Sequence, residues 1–434
     1  MPEHADLLAR HRQVLPSWLA LYYDEPIAFA RGEGRHVTDV EGRRYLDFFA
    51  GILTTMTGYD VPEVVAAIRE QAGRMLHSST LYLIEPQIEL AERLAQLSGI
   101  PDAKVFFTTS GSEANEAALL LASTYRRSNQ VLALRNSYHG RSFATIGVTG
   151  NRGWSASSLT PFNVHYVHNG YRFRSPFRDL DDDSFTAAVV DDLRDIIDTT
   201  TSGDVACLVA EPIQGVGGFT IPPDGMLGAM KKVLDETGIL YISDEVQTAW
   251  GRTGEHFWGY EAHGVTPDLI TFAKGLGNGL SMAGVIARRD IMDCLQANSI
   301  STFGGNPLVC AGSLANLRYL LDHDLQSNAQ VTGRRIMDRL RPLANELGVV
   351  GEVRGKGLMI GVELVGSDGR TANAAAAKEV LERCKVDGLL VGKGGLYGNC
   401  IRIAPPMSIT ADEADKGAAI VADALVAVEA GATS

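Results

Sequence analysis

Short runs of consecutive apolar residues recur along the first three hundred positions, and most of them end in a polar or glycine-rich turn. They lie at 105–107, 131–134, 164–167, 206–210, 240–242, 270–273 and 283–287. Such runs are typical of strands that are buried on both faces. Helical patterns lie between many of them, as at 185–197, where aspartates occupy the polar face. This alternation predicts an α/β protein with a largely parallel sheet between two layers of helices.

The two ends of the chain follow other patterns. The segment 37–51 contains two β-rich stretches around Glu41-Gly42, which predicts a short hairpin. The last third predicts a small α/β unit, with helices near 306–345 and 371–387 and strands at 358–364 and 400–406. Because single cores rarely grow beyond about 250–300 residues, a chain of 434 residues is expected to form at least two lobes.

Composition narrows the classes of function. The net charge is −13, and an acidic protein repels phosphate backbones, so a nucleic-acid partner is not expected. Five widely spaced cysteines without a CxxC pair favour reduced thiols over disulfides or a zinc site, and no metal site is predicted. No apolar run reaches the length of a membrane span, and the first residues lack a signal-peptide pattern. We therefore expect a cytoplasmic protein with no membrane partner.

Polar residues follow the ends of three apolar runs, where ligands bind in open α/β sheets. Ser110–Ser112 bridges a run and a helical pattern, and hydroxyls with free helix N-terminal amides suit a phosphate. Asp244 ends another run, where a carboxylate needs a cationic or hydrogen-bonding partner. Lys274 ends a third, in LITFAKGLGNG, where partial burial lowers the pKa of a lysine and makes its amine nucleophilic.

Each of these features also has a plain structural explanation. Ser110–Ser112 fits a simple helix N-cap, and Lys274 fits a side chain that reaches solvent. Asp244 fits a cap of the following turn or, with Glu245, a solvated acidic pair. The glycines after Lys274 do not form G-x-G-x-x-G, so the signal for a dinucleotide site is weak. Taken together, however, a phosphate cradle, a strand-end carboxylate and a strand-end lysine are what pyridoxal 5'-phosphate requires.

A series of motifs resembles the class III aminotransferases, which are pyridoxal-phosphate enzymes. In chain order they are LDFFAGI, TSGSEAN, YHGRS, AEPIQG, DEVQ, GRTG, HFWGY, FAKGLGNG, STFGGNP, RGKGLMIGVEL and CIRIAPPM. The resemblance implies fold type I (aspartate aminotransferase-like), with a mostly parallel seven-stranded sheet in a large cofactor-binding domain and a second, small α/β domain. We assign 61–320 to the large domain and 321–434 to the small one, which 1–60 joins.

The resemblance also implies a role for each matching residue. Lys274 resembles the Schiff-base lysine, Asp244 the partner of the pyridine nitrogen, and Tyr138 the aromatic residue stacked on the cofactor ring. Val246 is expected on the opposite ring face, and Gln247 at the ring hydroxyl. The implied cofactor-binding residues are Ser110, Gly111, Ser112, Tyr138, His139, Asp244, Val246, Gln247, Lys274 and Thr302.

Three residues connect the resemblance to subunits and substrates. Thr302 resembles a threonine that binds the phosphate of the neighbouring subunit, which implies a homodimer and leaves a tetramer open. Arg402 resembles the arginine that binds the substrate carboxylate through its planar guanidinium. Glu211 resembles the glutamate that pairs with this arginine when a substrate lacks that carboxylate. The alternative for Arg402 is a purely structural ion pair.

Within the family, the sequence is most similar to the alanine–glyoxylate aminotransferase 2 and β-amino acid–pyruvate group. This implies ping-pong transfer from a small amino acid or an ω- or β-amino donor to a keto acid, pyruvate or glyoxylate. Candidate pocket-lining residues are Leu53, Thr54, Tyr82 and Trp154. The main alternative is a pyridoxal-phosphate phospholyase acting on an amino alcohol phosphate, against which Arg402 argues.

Overall fold

The structure is a computed structural model that describes residues 4–432. Its strands, in chain order, are β1 (Phe29–Glu33), β2 (His36–Asp39), β3 (Arg44–Asp47), β4 (Ala103–Thr108), β5 (Gln130–Leu134), β6 (Asn163–Val167), β7 (Cys207–Ala210), β8 (Leu240–Asp244), β9 (Leu269–Phe272), β10 (Ala283–Arg288), β11 (Val350–Lys356), β12 (Met359–Leu364), β13 (Leu389–Leu390), β14 (Gly392–Gly394) and β15 (Cys400–Ile403).

Helices lie before, between and after these strands. They are His4–Val14, Pro62–Arg74, Glu85–Leu97, Gly111–Arg126, Phe143–Gly147, Asp182–Thr200, Met226–Thr237, Arg289–Met292, Pro307–Asp322, Leu325–Leu340, Leu343–Glu346, Ala374–Val386 and Ala411–Ala432. Short 3₁₀ turns occupy Arg172–Arg174, Gly259–His263 and Lys274–Gly277. Within residues 4–432, no helix has both the length and the apolar character needed to cross a membrane.

The largest sheet has seven strands in the order β4-β10-β9-β8-β7-β5-β6. Strands β9, β8, β7, β5 and β6 pair in parallel, whereas β10 pairs antiparallel with both β9 and β4. Six strands therefore run in one direction, which confirms the predicted mostly parallel seven-stranded sheet. The carboxyl ends of β4, β5, β7, β8 and β9 meet at one edge, and the polar residues that follow them are brought together there.

Burial explains why the strands of this sheet were readable from the sequence. Every residue of β5, β7, β8 and β9 is buried, because helices cover both faces of the sheet. The helix Asp182–Thr200 directs Phe185, Val189, Leu193 and Ile197 inward at helical spacing. The helix Met226–Thr237 packs into the same cluster through Met226, Met230 and Leu234.

Two smaller sheets complete the molecule. The first contains β1, β2, β3 and β13, and its β2–β3 pair forms the hairpin predicted around Glu41-Gly42. The second is antiparallel, in the order β11-β12-β15-β14. Because β13 pairs in parallel with β3, residues near the start of the chain share a sheet with residues near its end. The pairing agrees with an N-terminal segment that joins a C-terminal domain, while the boundaries at 60 and 320 stay a prediction.

Candidate active site

A cleft of about 550 Å³ lies at the edge where the strand ends meet. Its walls come from five segments that follow β4, β5, β7, β8 and β9. The lining residues are Ser110, Gly111, Ser112, Asn115, Tyr138, His139, Gly140, Glu211, Asp244, Val246, Gln247, Ala273 and Lys274. The cleft therefore gathers ten predicted residues from segments that are distant in sequence, together with Asn115, Gly140 and Ala273.

The first wall is the N-terminus of the helix Gly111–Arg126. The Ser110 hydroxyl accepts a hydrogen bond from the Glu113 N–H at 3.2 Å and so caps the helix. The first N–H groups of a helix have no intrahelical acceptor, and those of Gly111 and Ser112 belong to this turn. A Cβ at Gly111 would lie 3.3 Å from both Val246 methyl groups, so the turn packs closely against Val246. The result is a cradle suited to an anion.

Asp244 lies at the end of β8, and its carboxylate is held by two side chains. The Asp244 Oδ2 atom lies 2.7 Å from His139 Nδ1 and accepts a hydrogen bond from Asn115 Nδ2 at 2.8 Å. The Asn115 amide also donates to the His139 carbonyl, while its oxygen accepts from the Thr271 hydroxyl. The carboxylate is therefore buried and fixed in orientation, which excludes the solvated acidic pair for Asp244.

Lys274 follows β9, is half-buried and lines the cleft. Its backbone adopts φ +47°, a left-handed conformation that is uncommon outside glycine and is often found at functional positions. Burial lowers the pKa of Lys274 to about 8, against the opposing effect of the negative Asp244 and Glu211. A larger fraction of this amine is therefore neutral near physiological pH than for a lysine in water.

Contacts with Asn316 and Met56 fix the segment after Lys274. The buried Asn316 amide donates to the carbonyls of Gly275 and Leu276 at 2.9 Å each, and its oxygen accepts from the Thr57 hydroxyl at 2.6 Å. A Cβ at Gly275 would lie 2.7 Å from the Met56 sulfur. Glycine is thus needed here for close packing, and the turn holds Lys274 in place.

Glu211 and Arg402 both form hydrogen bonds with the backbone of Gly215. Glu211 accepts hydrogen bonds from the N–H groups of Tyr138 and Gly215, both at 2.8 Å. Arg402 donates from Nη1 to the Gly215 carbonyl at 3.1 Å. Within residues 4–432, no carboxylate lies within 4.0 Å of the Arg402 guanidinium. The two charged side chains are therefore apart, and burial raises the pKa of Glu211 above its usual range.

Comparison with known proteins identifies the family. Residues 21–425 match the family model for aminotransferase class-III. A mitochondrial alanine–glyoxylate aminotransferase 2 homologue from Arabidopsis thaliana is 39% identical over 414 residues, which cover 94% of this chain and 85% of that protein. The chain belongs to the class III aminotransferases. An alanine/serine racemase from Pyrococcus horikoshii is also similar to this aminotransferase, at 36% identity over 98% of this chain and 90% of the racemase.

A solved structure connects this aminotransferase to its cofactor. A PLP-bound amine transaminase from an uncultivated Pseudomonas species has a TM-score of 0.89 and 31% identity, over 96% of this chain and 98% of that one. Class III aminotransferases use pyridoxal phosphate, and so does this one. Its fold is accordingly that of the fold type I transaminases.

The residues present fit this cofactor. The helix N-terminus at Gly111 and Ser112 suits its phosphate, and the buried carboxylate of Asp244 suits a protonated ring nitrogen. The Gln247 Oε1 atom is buried and lacks a hydrogen-bond partner in the described part of the chain, so it is free to accept a bond from the ring hydroxyl. Tyr138 and Val246 belong to the cleft lining and supply apolar contact surface.

Six predicted residues lie outside the lining of the cleft, and one of them is Arg402, described above. Leu53 is buried beside Phe49, Ile213 and Phe219, and Trp154 is exposed with its ring edge-on to Tyr138 at 5.6 Å. The other three are Thr54, which is half-buried, and Tyr82 and Thr302, which are both exposed. Their contribution to the substrate pocket or to a neighbouring subunit stays a prediction.

Asn115 was missed by the sequence reasoning although a signal was available. It lies three residues after Ser112 in TSGSEAN, and residues three apart lie on the same face of a helix. A polar residue on the face that carries the cradle is therefore expected to point toward the same site.

Proposed function

We propose that this aminotransferase moves an amino group from a small amino acid, or from an ω- or β-amino donor, to pyruvate or glyoxylate. The main support is Arg402, a buried guanidinium that has no acidic partner within 4.0 Å in the described chain. Its positive charge contributes to the lowered pKa of Lys274. A planar guanidinium is well suited to binding a carboxylate by two hydrogen bonds.

We propose that the side chains of the cleft have separate roles in the reaction. Bound pyridoxal phosphate supplies an electron-withdrawing ring. Lys274 Nζ is proposed to take a proton from the donor carbon and to return a proton when the amino group is passed to the keto acid. A pKa of about 8 suits an amine that both accepts and donates a proton. Asp244 is proposed to hold the proton of the ring nitrogen, with His139 and Asn115 fixing its carboxylate.

Two kinds of substrate are proposed to alternate in a ping-pong cycle. Arg402 is proposed to bind a substrate carboxylate in the arrangement seen here, where it is apart from Glu211. For a donor without that carboxylate, Arg402 and Glu211 would pair instead and neutralise each other. Gly215 bonds to both side chains, so only a local rearrangement is needed to bring them together.

Amino transfer from L-alanine to glyoxylate is the reaction to test first. The purified holoenzyme with both compounds should release pyruvate and glycine in equal amounts, and L-alanine alone should release at most one pyruvate per active site. Pyruvate and glycine can be quantified by liquid chromatography with mass spectrometry, and chiral chromatography can report D-alanine in the same samples.

Three outcomes would contradict the proposed substrates. Formation of D-alanine without pyruvate would indicate racemisation, as in the similar Pyrococcus horikoshii protein. Release of phosphate from phosphoethanolamine without any keto acid would indicate a phospholyase. A complete lack of reaction with L-alanine would shift the proposal to ω-amines or β-amino acids as donors.

A homodimer is proposed from the distribution of exposed apolar side chains. Several of these side chains lie in two segments, at 75–83 and at 300–303. The rings of His77 and Phe303 lie 5.1 Å apart and connect the two segments. This apolar patch consists of Met75, Leu76, Leu81, Tyr82, Leu83, Ile300 and Phe303. Exposed patches of this kind mark protein interfaces. Thr302 is exposed and lies between Ile300 and Phe303 in the sequence, which supports the proposal that it reaches the neighbouring subunit.

Replacing Leu83 with arginine should break this dimer. Leu83 is 93% exposed in the chain, so the substitution does not disturb the fold, whereas a buried charge in an interface is costly. Analytical ultracentrifugation should give twice the 46.6 kDa chain mass for the wild type and a single chain mass for the variant. Val386→Arg, at 81% exposure outside the patch, serves as the control. A wild-type protein of single chain mass would contradict the dimer.

A further inference from the structure

The Arg402 guanidinium is flanked by two aromatic rings. Its Cζ atom lies 4.8 Å from the centroid of the Phe49 ring and 5.4 Å from that of the Phe219 ring. A cation within about 6 Å of a ring centroid is attracted to the negative face of the ring. These two rings, here called the aromatic clamp, stabilise the buried charge without using any of its N–H donors.

The Phe49 ring is itself held on several sides. Tyr22 stacks on it at 5.7 Å between centroids, with an angle of 22° between the ring planes. The Tyr22 hydroxyl donates to the Lys393 carbonyl at 3.1 Å and thereby fixes the second ring. A Cβ at Gly392 would lie 2.2 Å from the Phe49 ring, so this part of β14 is in direct contact with it. The ring therefore has little freedom to move away from Arg402.

The backbone that carries Phe49 is strained and anchored. The turn Ala50–Leu53, which follows it, has φ between +49° and +65° at all four positions. Left-handed conformations are unfavourable for residues with a Cβ, such as Ala50, Ile52 and Leu53, so this turn persists only where the surroundings impose it. The buried Asp47 carboxylate accepts from the N–H groups of Phe49 and Ala50 at 2.7 and 2.9 Å, and also from the Tyr59 hydroxyl.

Phe219 also has a left-handed backbone that a buried side chain holds in place. It is fully buried and adopts φ +52°, which is again unusual for a bulky residue. The Arg354 Nε atom donates to the carbonyls of Gly218 and Phe219 at 3.2 and 3.1 Å, while Arg354 Nη2 donates to Glu363 at 3.0 Å. Both rings of the aromatic clamp are thus placed by a strained backbone that a buried charged side chain holds.

We propose that Phe49 is a positioning residue that sets the preference of this enzyme for substrates with a carboxylate. Through the aromatic clamp it holds Arg402 in place and compensates its charge when no carboxylate is bound. The Arg402 Nε atom is buried and has no hydrogen-bond partner among residues 4–432, so this donor is free for a substrate. The inference rests on the proposed role of Arg402.

The test compares Phe49→Leu with the wild-type holoenzyme. Leucine keeps an apolar side chain but removes the ring face, so the KM for pyruvate should rise about 3- to 30-fold while kcat changes little. In the background of Arg402→Ala the same substitution should add no further rise, because Phe49 acts through Arg402. In the cofactor-free protein, Arg402 should also react faster with phenylglyoxal, as measured by mass spectrometry.

A second variant separates the charge of the ring from its shape. 3,5-Difluorophenylalanine at position 49 nearly preserves the volume but weakens the negative ring face, so it should raise the KM in the same direction as leucine. The inference is overturned if the KM is unchanged in both variants, or if Phe49→Leu raises it equally with and without Arg402. If Arg402→Ala itself leaves the KM unchanged, the proposed role of Arg402 fails instead.

Discussion

Replacing Lys274 with alanine should leave a folded protein whose transaminase turnover is lower by at least about 10⁴-fold, the upper range for loss of one general acid–base group. The loss is expected to be this large because the same amine is also the nucleophile of the site. The side chain lies in the cleft, and burial lowers its pKa to about 8. Pyruvate release from L-alanine gives the turnover, and thermal unfolding reports the fold.

An exposed lysine provides the matched control for this substitution. Lys232→Ala, on the surface of the helix Met226–Thr237, should change neither turnover nor thermal stability. If the Lys274→Ala protein retained turnover within tenfold of the wild type, Lys274 could not be the reactive amine. A variant that failed to fold would instead assign Lys274 a structural role.

Replacing Arg402 with alanine should raise the KM for pyruvate or glyoxylate by about 10- to 150-fold, since hydrogen bonds to charged groups contribute about 1.5–3 kcal/mol. The KM for benzylamine, a donor without a carboxylate, should change far less. The physical reason is that Arg402 is a buried cation without an acidic partner in the described chain. Initial rates with each substrate varied in turn separate the two constants.

Arg402→Lys serves as the companion variant. It keeps the positive charge but loses the planar fork, so it should fall between the wild type and Arg402→Ala. Equal increases in the KM for pyruvate and for benzylamine would show that the substitution disturbs the cleft as a whole. Arg402 would then have no specific role in binding carboxylates.

The seven apolar runs of the sequence correspond to β4 through β10, which together form the large sheet. The central ones could be recognised because helices cover both faces, so every residue of β5, β7, β8 and β9 is buried. The antiparallel direction of β10 could not be predicted from the sequence. Its residues 283–288 are as apolar as those of its parallel neighbours, and burial does not depend on the direction in which a strand runs.

The predictability of the site differs among its residues. Lys274 and Asp244 could be found because a charged side chain at the end of an apolar strand is unusual and needs a reason. Phe49 and Phe219 could not, since an aromatic residue in an apolar stretch is normally part of the core. Their proximity to Arg402 depends on left-handed backbone and on contacts between distant segments. No local pattern in the sequence encodes such contacts.

The parallel pairing of β3 with β13 has a consequence for how the protein is made. Leu46 and Asp47 pair with Leu389 and Leu390, which leave the ribosome last among the strands of that sheet. Until then the hairpin β2–β3 has an unpaired edge, and such edges in nascent chains are prone to aggregation. The large sheet is complete once residue 288 has been synthesised, so it can form earlier. Arg402, which we propose binds the substrate carboxylate, is likewise synthesised late, after the strands that carry the proposed cofactor cradle.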